Sequence, residues 1–154
     1  MNQQRRDALR ITTVLGLAVA AGLMSPREAL ATETWNSAAF DTKNLNDTVK
    51  ALGGSTVAVS KDIIINAPDI AENGAVVPVS VSTALPGVQQ IAILVEKNPN
   101  ALAANFSIPA GTEAYVSTRV KMAQTSNVYA LAKVDGKWLV ASREIKVTLG
   151  GCGG

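Results

Sequence analysis

"VYALAKVDGKWLVASREIKVT", residues 128–148, sets two alternating apolar runs on either side of Asp135-Gly136. Both residues of that pair tolerate positive φ, and two such residues between strand patterns mark a type I′ hairpin. Working outward from this hairpin, the same period of two recurs. Candidate strands cover 56–60, 62–66, 76–82, 89–96, 103–108, 114–122, 128–134, 137–142 and 144–148, with turn residues at 67–69, 72–74, 85–87, 97–100 and 109–111. The chain has 154 residues, 47% hydrophobic and 17% charged, the balance of one globular domain. Only 4% are aromatic, so its core is built from Val, Ile, Ala and Leu. Short strands at this spacing predict an all-β fold, an immunoglobulin-like β-sandwich.

A short N-terminal helix precedes it. Leu45, Val49 and Leu52 recur at helical spacing and Gly53-Gly54 supply a C-cap. Pro78 within "VVPVSV" argues for a sheet edge, because proline cannot donate to a ladder. In "AYVSTRVKM" the alternation sends Val116, Thr118, Val120 and Met122 to one face and Tyr115, Ser117, Arg119 and Lys121 to the other. That second face is either solvated or an interface on which Arg119 fixes register and, with Lys121, steers anions.

Residues 1–31 read as an export signal. Arg5 and Arg6 precede an apolar run from about Ile11 to Leu23, and Ala29-Leu30-Ala31 offers small residues for cleavage. The apolar run is short of the roughly 20 residues of a membrane span. The arginine pair points to the twin-arginine (Tat) route, a partial match because Gln4, Ala8, Leu9 and Arg10 fill the flanking consensus places. The expected organisation is a cleaved Tat signal over 1–31, a helical segment over 32–54, the sandwich over 55–148, and a flexible Gly-Cys arm over 149–154. The expected location is the periplasm.

Four of the basic residues and two of the acidic ones fall in the signal, leaving ten of each, so no basic stripe points to nucleic acid. The chain has no histidine, which excludes a Ser-His-Asp triad, a Cys-His dyad and a His-based metal site. Its one cysteine, Cys152, excludes an internal disulfide and a thiolate cluster, and no cofactor or metal is expected.

Cys152 stands in "LGGCGG", just past the last strand pattern. Four extended residues reach at most roughly 14 Å, and Gly150, Gly151, Gly153 and Gly154 make the arm thin. An unperturbed thiol near pKa 8.5 is mostly protonated at neutral pH, and the nearby terminal carboxylate disfavours the thiolate. Such a group is a poor catalyst and a good substrate. Three readings compete: a structural or interaction sandwich whose tail cysteine is incidental or paired between molecules; a ubiquitin-like thiocarboxylate on Gly154; and a swinging arm that holds cargo on Cys152.

The "GGCGG" ending, the twin-arginine leader and the stretches "APDIAENGAVVPVSVS" (67–82), "VEKNPNALAANFSI" (95–108) and "VSTRVKMAQTSNVYAL" (116–131) resemble the SoxY family, the sulfur carriers of thiosulfate-oxidising systems. The resemblance implies an immunoglobulin-like fold and a heterodimer with SoxZ. It implies that Cys152 is the covalent sulfur attachment site, with the four glycines as its arm. The carrier is then no enzyme but the substrate of SoxAX, SoxB and, in some organisms, SoxCD.

Overall fold

The computed structural model describes residues 36–149. The hairpin is built as the sequence predicts: β8 (Ser126–Val134) and β9 (Lys137–Val147) pair antiparallel from Ser126↔Ile145 to Val134↔Lys137. Asp135 (φ 48°) and Gly136 (φ 78°) close the turn, both with the positive φ that a type I′ turn requires. The two segments expected at 137–142 and 144–148 are one strand, because β8 pairs along its whole length and no glycine or proline interrupts it.

β5 (Val88–Val95) lies beside β8, and β6 (Leu102–Ser107) beside β5, both antiparallel. The outer edge of β9 is shared by two short parallel partners: β1 (Val57–Val59) covers Trp138 to Val140, and β3 (Ile70–Ala71) covers Lys146 and Val147. Between them the chain crosses to a second sheet, in which β4 (Val77–Thr83) lies between β2 (Ile63–Asn66) and β7 (Tyr115–Val120). Pro78 therefore sits on a central strand and not on the edge expected for it. β2 pairs only with Ser80 to Thr83, so no strand reaches Pro78 from that side and a donor is not missed there.

The sheets face each other across one core. Ile63, Ile65, Val77, Val79, Val81, Val116, Val120 and Met122 meet Ile91, Ile93, Val95, Val128, Ala130 and Ile145. The opposite face of the larger sheet is covered too, by α1 (Ser37–Phe40) and α2 (Leu45–Ala51). Ala39, Val49 and Leu52 pack there on Ala92, Leu94, Leu131, Trp138 and Val140. This explains the unbroken run Ile91-Ala92-Ile93-Leu94-Val95, buried throughout, since a strand covered on both faces has no polar side to show.

α2 starts where Asn44 accepts the Asp47 N–H at 2.9 Å. It ends in a Schellman motif, with Gly53 (φ 80°) donating to the Lys50 carbonyl at 3.0 Å and Gly54 to that of Val49 at 2.8 Å. The helix expected from Leu45, Val49 and Leu52 is thus present. α1, at four residues, is too short to leave a periodic pattern.

Candidate functional site: the root of the carboxy-terminal tail

β9 carries the chain toward Cys152, and the segment 70–74 ties it down on the way. The Thr148 N–H donates to the Ala71 carbonyl at 3.1 Å, and its hydroxyl to the Glu72 carbonyl at 3.0 Å. One residue on, the Gly74 N–H donates to the Leu149 carbonyl at 2.7 Å, while the Gly74 carbonyl accepts from Met122 N–H at 2.7 Å. On the other side, Val147 N–H donates to Thr125 Oγ1 at 2.9 Å. The turn expected at 72–74 is set by Asn73, whose side-chain oxygen accepts the Ala75 N–H at 2.9 Å. Leu149, the first residue assigned to the arm from sequence, is therefore held through its carbonyl.

Cys152 and its glycines Gly150, Gly151, Gly153 and Gly154 lie outside the described residues, as do Arg5, Arg6 and the rest of the leader. Arg119 and Lys121 are both exposed on the face that the alternation predicts, but in different settings. Arg119 pairs with Pro78 on the outer face of the smaller sheet. Lys121 follows β7, its carbonyl accepting from Asn98 Nδ2 at 2.6 Å. Its neighbour Met122 is bonded to Gly74, so of the two Lys121 belongs to the tail's root.

The outer face of the smaller sheet runs in rows: Ile64, Ser82 and Tyr115; Asn66, Ser80 and Ser117; Pro78 and Arg119. Arg119 is the one charge within its three strands, and Ile64 and Tyr115 are exposed large side chains, a composition suited to an interface. On the helix side, Glu96 accepts from Tyr129 Oη at 3.1 Å and Asn127 Nδ2 at 3.0 Å, beside a cavity of about 190 Å³ lined also by Asn44, Leu45 and Ala101. Partial burial, with the Glu96 carboxylate beside it, raises the Tyr129 pKa above 10.0.

Sequence reading missed the tie at Ile70-Ala71. Two residues after Pro68-Asp69 are too few to display an alternation, and only their pairing with β9 reveals them. Among the described residues no group of three or more His, Cys, Asp or Glu could hold a metal ion.

Two packed sheets with two short helices over the larger one define a mostly β sandwich whose last strand is held by the segment 70–74. The family model "Sulfur oxidation protein SoxY" matches residues 49–152, a span that ends on Cys152. The sulfur carrier protein SoxY from Chlorobium limicola f thiosulfatophilum is 40% identical, with 69% of this chain and 97% of that one covered and a TM-score of 0.63. The chain belongs to the SoxY family. A superoxide reductase (neelaredoxin) from Ignicoccus hospitalis, 21% identical over 55% of this chain and 79% of its own with a TM-score of 0.50, shares the fold alone. No curated protein matches the chain.

Proposed function

We propose that this member of the SoxY family is a periplasmic sulfur carrier that holds thiosulfate-derived intermediates on Cys152 and presents them to the other Sox proteins. The observation that carries the reading is the family match running through Cys152, on a tail whose root is fixed as far as Leu149. A fixed root and a glycine arm let one sulfur visit several active sites while the sandwich stays outside them.

The chemistry needs partners. Joining thiosulfate to the thiol forms an S–S bond, releases one proton and gives two electrons to an oxidant, for which the c-type cytochrome complex SoxAX is the candidate. Hydrolysis of the terminal sulfonate by SoxB, a metal-dependent hydrolase, consumes one water, releases sulfate and leaves a persulfide on Cys152. SoxCD, where present, oxidises that sulfur further. The adduct is of disulfide type, stable against loss yet open to exchange and oxidation. SoxZ is the expected heterodimer partner. The Arg5-Arg6 pair and the Ala29-Leu30-Ala31 site support Tat export of an already assembled pair.

Intact mass of the protein purified from its native periplasm, with and without reductant and mapped to the terminal peptide, tests this. Reductant-labile thiosulfonate or persulfide masses on Cys152 are expected. A bare thiol or only a homodimer disulfide, from cells using thiosulfate, overturns the proposal.

A further inference from the structure

Asn73-Gly74 is the one asparagine-glycine pair in the sequence, and it lies in the segment that holds Leu149. Glycine has no Cβ to crowd its amide nitrogen, so the nitrogen that follows Asn73 can approach the asparagine side chain. Asn73 is exposed and Gly74 is buried. The Asn73 side-chain oxygen accepts the Ala75 N–H at 2.9 Å, which folds the carboxamide over the following peptide and polarises Cγ. The Gly74 nitrogen, by contrast, is occupied. Its N–H donates to the Leu149 carbonyl at 2.7 Å, and the Gly74 carbonyl accepts from Met122 N–H at 2.7 Å, so the peptide is pinned on both sides.

An electrophile and its nucleophile therefore stand in adjacent residues, with one bond to the end of β9 withholding the nucleophile. We infer that Asn73 is a deamidation site held in check by the Leu149 carbonyl. When the Leu149–Gly74 bond opens, the Gly74 nitrogen attacks Asn73 Cγ. The N–Cγ bond forms, the Cγ–Nδ2 bond breaks, and the Gly74 proton leaves with the amide group as ammonia. Water then opens the cyclic imide at either carbonyl, giving aspartate or isoaspartate with no change of oxidation state. The imide has no N–H left for Leu149, and isoaspartate adds a methylene to the main chain at 73. Neither keeps Gly74 in register with both Leu149 and Met122, so conversion frees the end of β9 in one direction only. This holds whatever Cys152 carries.

The test incubates the purified full chain, folded and in denaturing urea, in mildly alkaline buffer. Peptide masses and enzymatic methyl transfer to isoaspartyl carboxylates report conversion. Amide exchange at Gly74 is followed in parallel, because the proton that exchanges is the one the reaction removes. Conversion is expected at Asn73 ahead of every other asparagine, and slower in the fold by at least about tenfold. Thr148→Val, which loses the hydroxyl bond to the Glu72 carbonyl, is expected to speed both conversion and Gly74 exchange about fivefold, with the rate in urea unchanged. If that variant does not fray, urea concentrations below the unfolding transition make the same comparison in the parent chain. Equal rates in the folded and unfolded chain, or conversion that does not follow Gly74 exchange, overturn the role of Leu149. Folded-state conversion at another asparagine as fast as at Asn73 overturns the site.

Discussion

Arg143 and Asp69 meet at 2.7 Å where the chain returns from the second sheet to the edge of β9. The same guanidinium donates through Nη1 to the Ile65 carbonyl at 3.1 Å, so one side chain ties β9 both to β2 and to the turn before β3. Asp69 is 86% exposed, so the ion pair itself is worth little, and the bond to Ile65 carries more. Asp69→Asn is expected to change stability by less than about 0.5 kcal/mol. Arg143→Ala is expected to cost about 1–2 kcal/mol in urea unfolding. Equal costs for the two would place the energy in the ion pair.

Gly54 presses on Trp138. A Cβ there would lie 2.3 Å from Trp138 Cδ1 and 2.7 Å from Val49 Cγ1, distances that force the helix off the sheet. Gly54→Ala is expected to cost about 1–3 kcal/mol, read as a lower thermal midpoint and a changed Trp138 fluorescence. A midpoint equal to the parent's would show that the contact yields freely.

Tyr129 gives the stability curve an alkaline slope. Its folded pKa lies above the ordinary value, so its contribution is complete below about pH 10 and is lost as the pH rises through the folded value. Tyr129→Phe is expected to be less stable near pH 8 by about 1 kcal/mol, through the lost bond to Glu96. The gap should narrow above pH 10, and a constant gap in denaturant titrations across that range would contradict the assignment.

The arm and its anchor are separable. Gly151→Val is expected to leave stability within about 0.5 kcal/mol; under the proposed carrier function it is expected to slow sulfate release about tenfold to a hundredfold, since a β-branched residue would stiffen and thicken the arm. Thr148→Val should keep its backbone bond to Ala71 but lose the one to Glu72, fraying the last residues of β9. Amide exchange at Thr148 and Gly74 reads this directly, and unaltered protection at both would discount the hydroxyl's role.

The alternation along 114–122 and the Asp135-Gly136 turn were legible because each is a local property: side chains alternate with period two, and positive φ selects few residues. Val116, Val120 and Met122 are accordingly buried and Tyr115, Ser117, Arg119 and Lys121 exposed. What depended on partners was not legible. Pro78 marks a missing donor, but only the length of β2 says that a central strand tolerates it. The covering of β5 by α1 and α2 can be traced afterwards in the run 91–95, whose two apolar faces require a second cover. The tie that holds Leu149 was not legible either, because it arises from bonds between 71–74 and 148–149, more than seventy residues apart.

The sharing of β9's outer edge by β1 and β3 also decides how the molecule bears traction. A partner that grips the tail and withdraws pulls β9 along its own axis. Its ladder with β8 on one side and its parallel bonds with β1 and β3 on the other are then loaded together, in shear, and not opened one after another as in peeling. The sandwich thus acts as an anchor plate, and a pull on the carboxy-terminal end of β9 is resisted by the whole length of the strand instead of by its last bond.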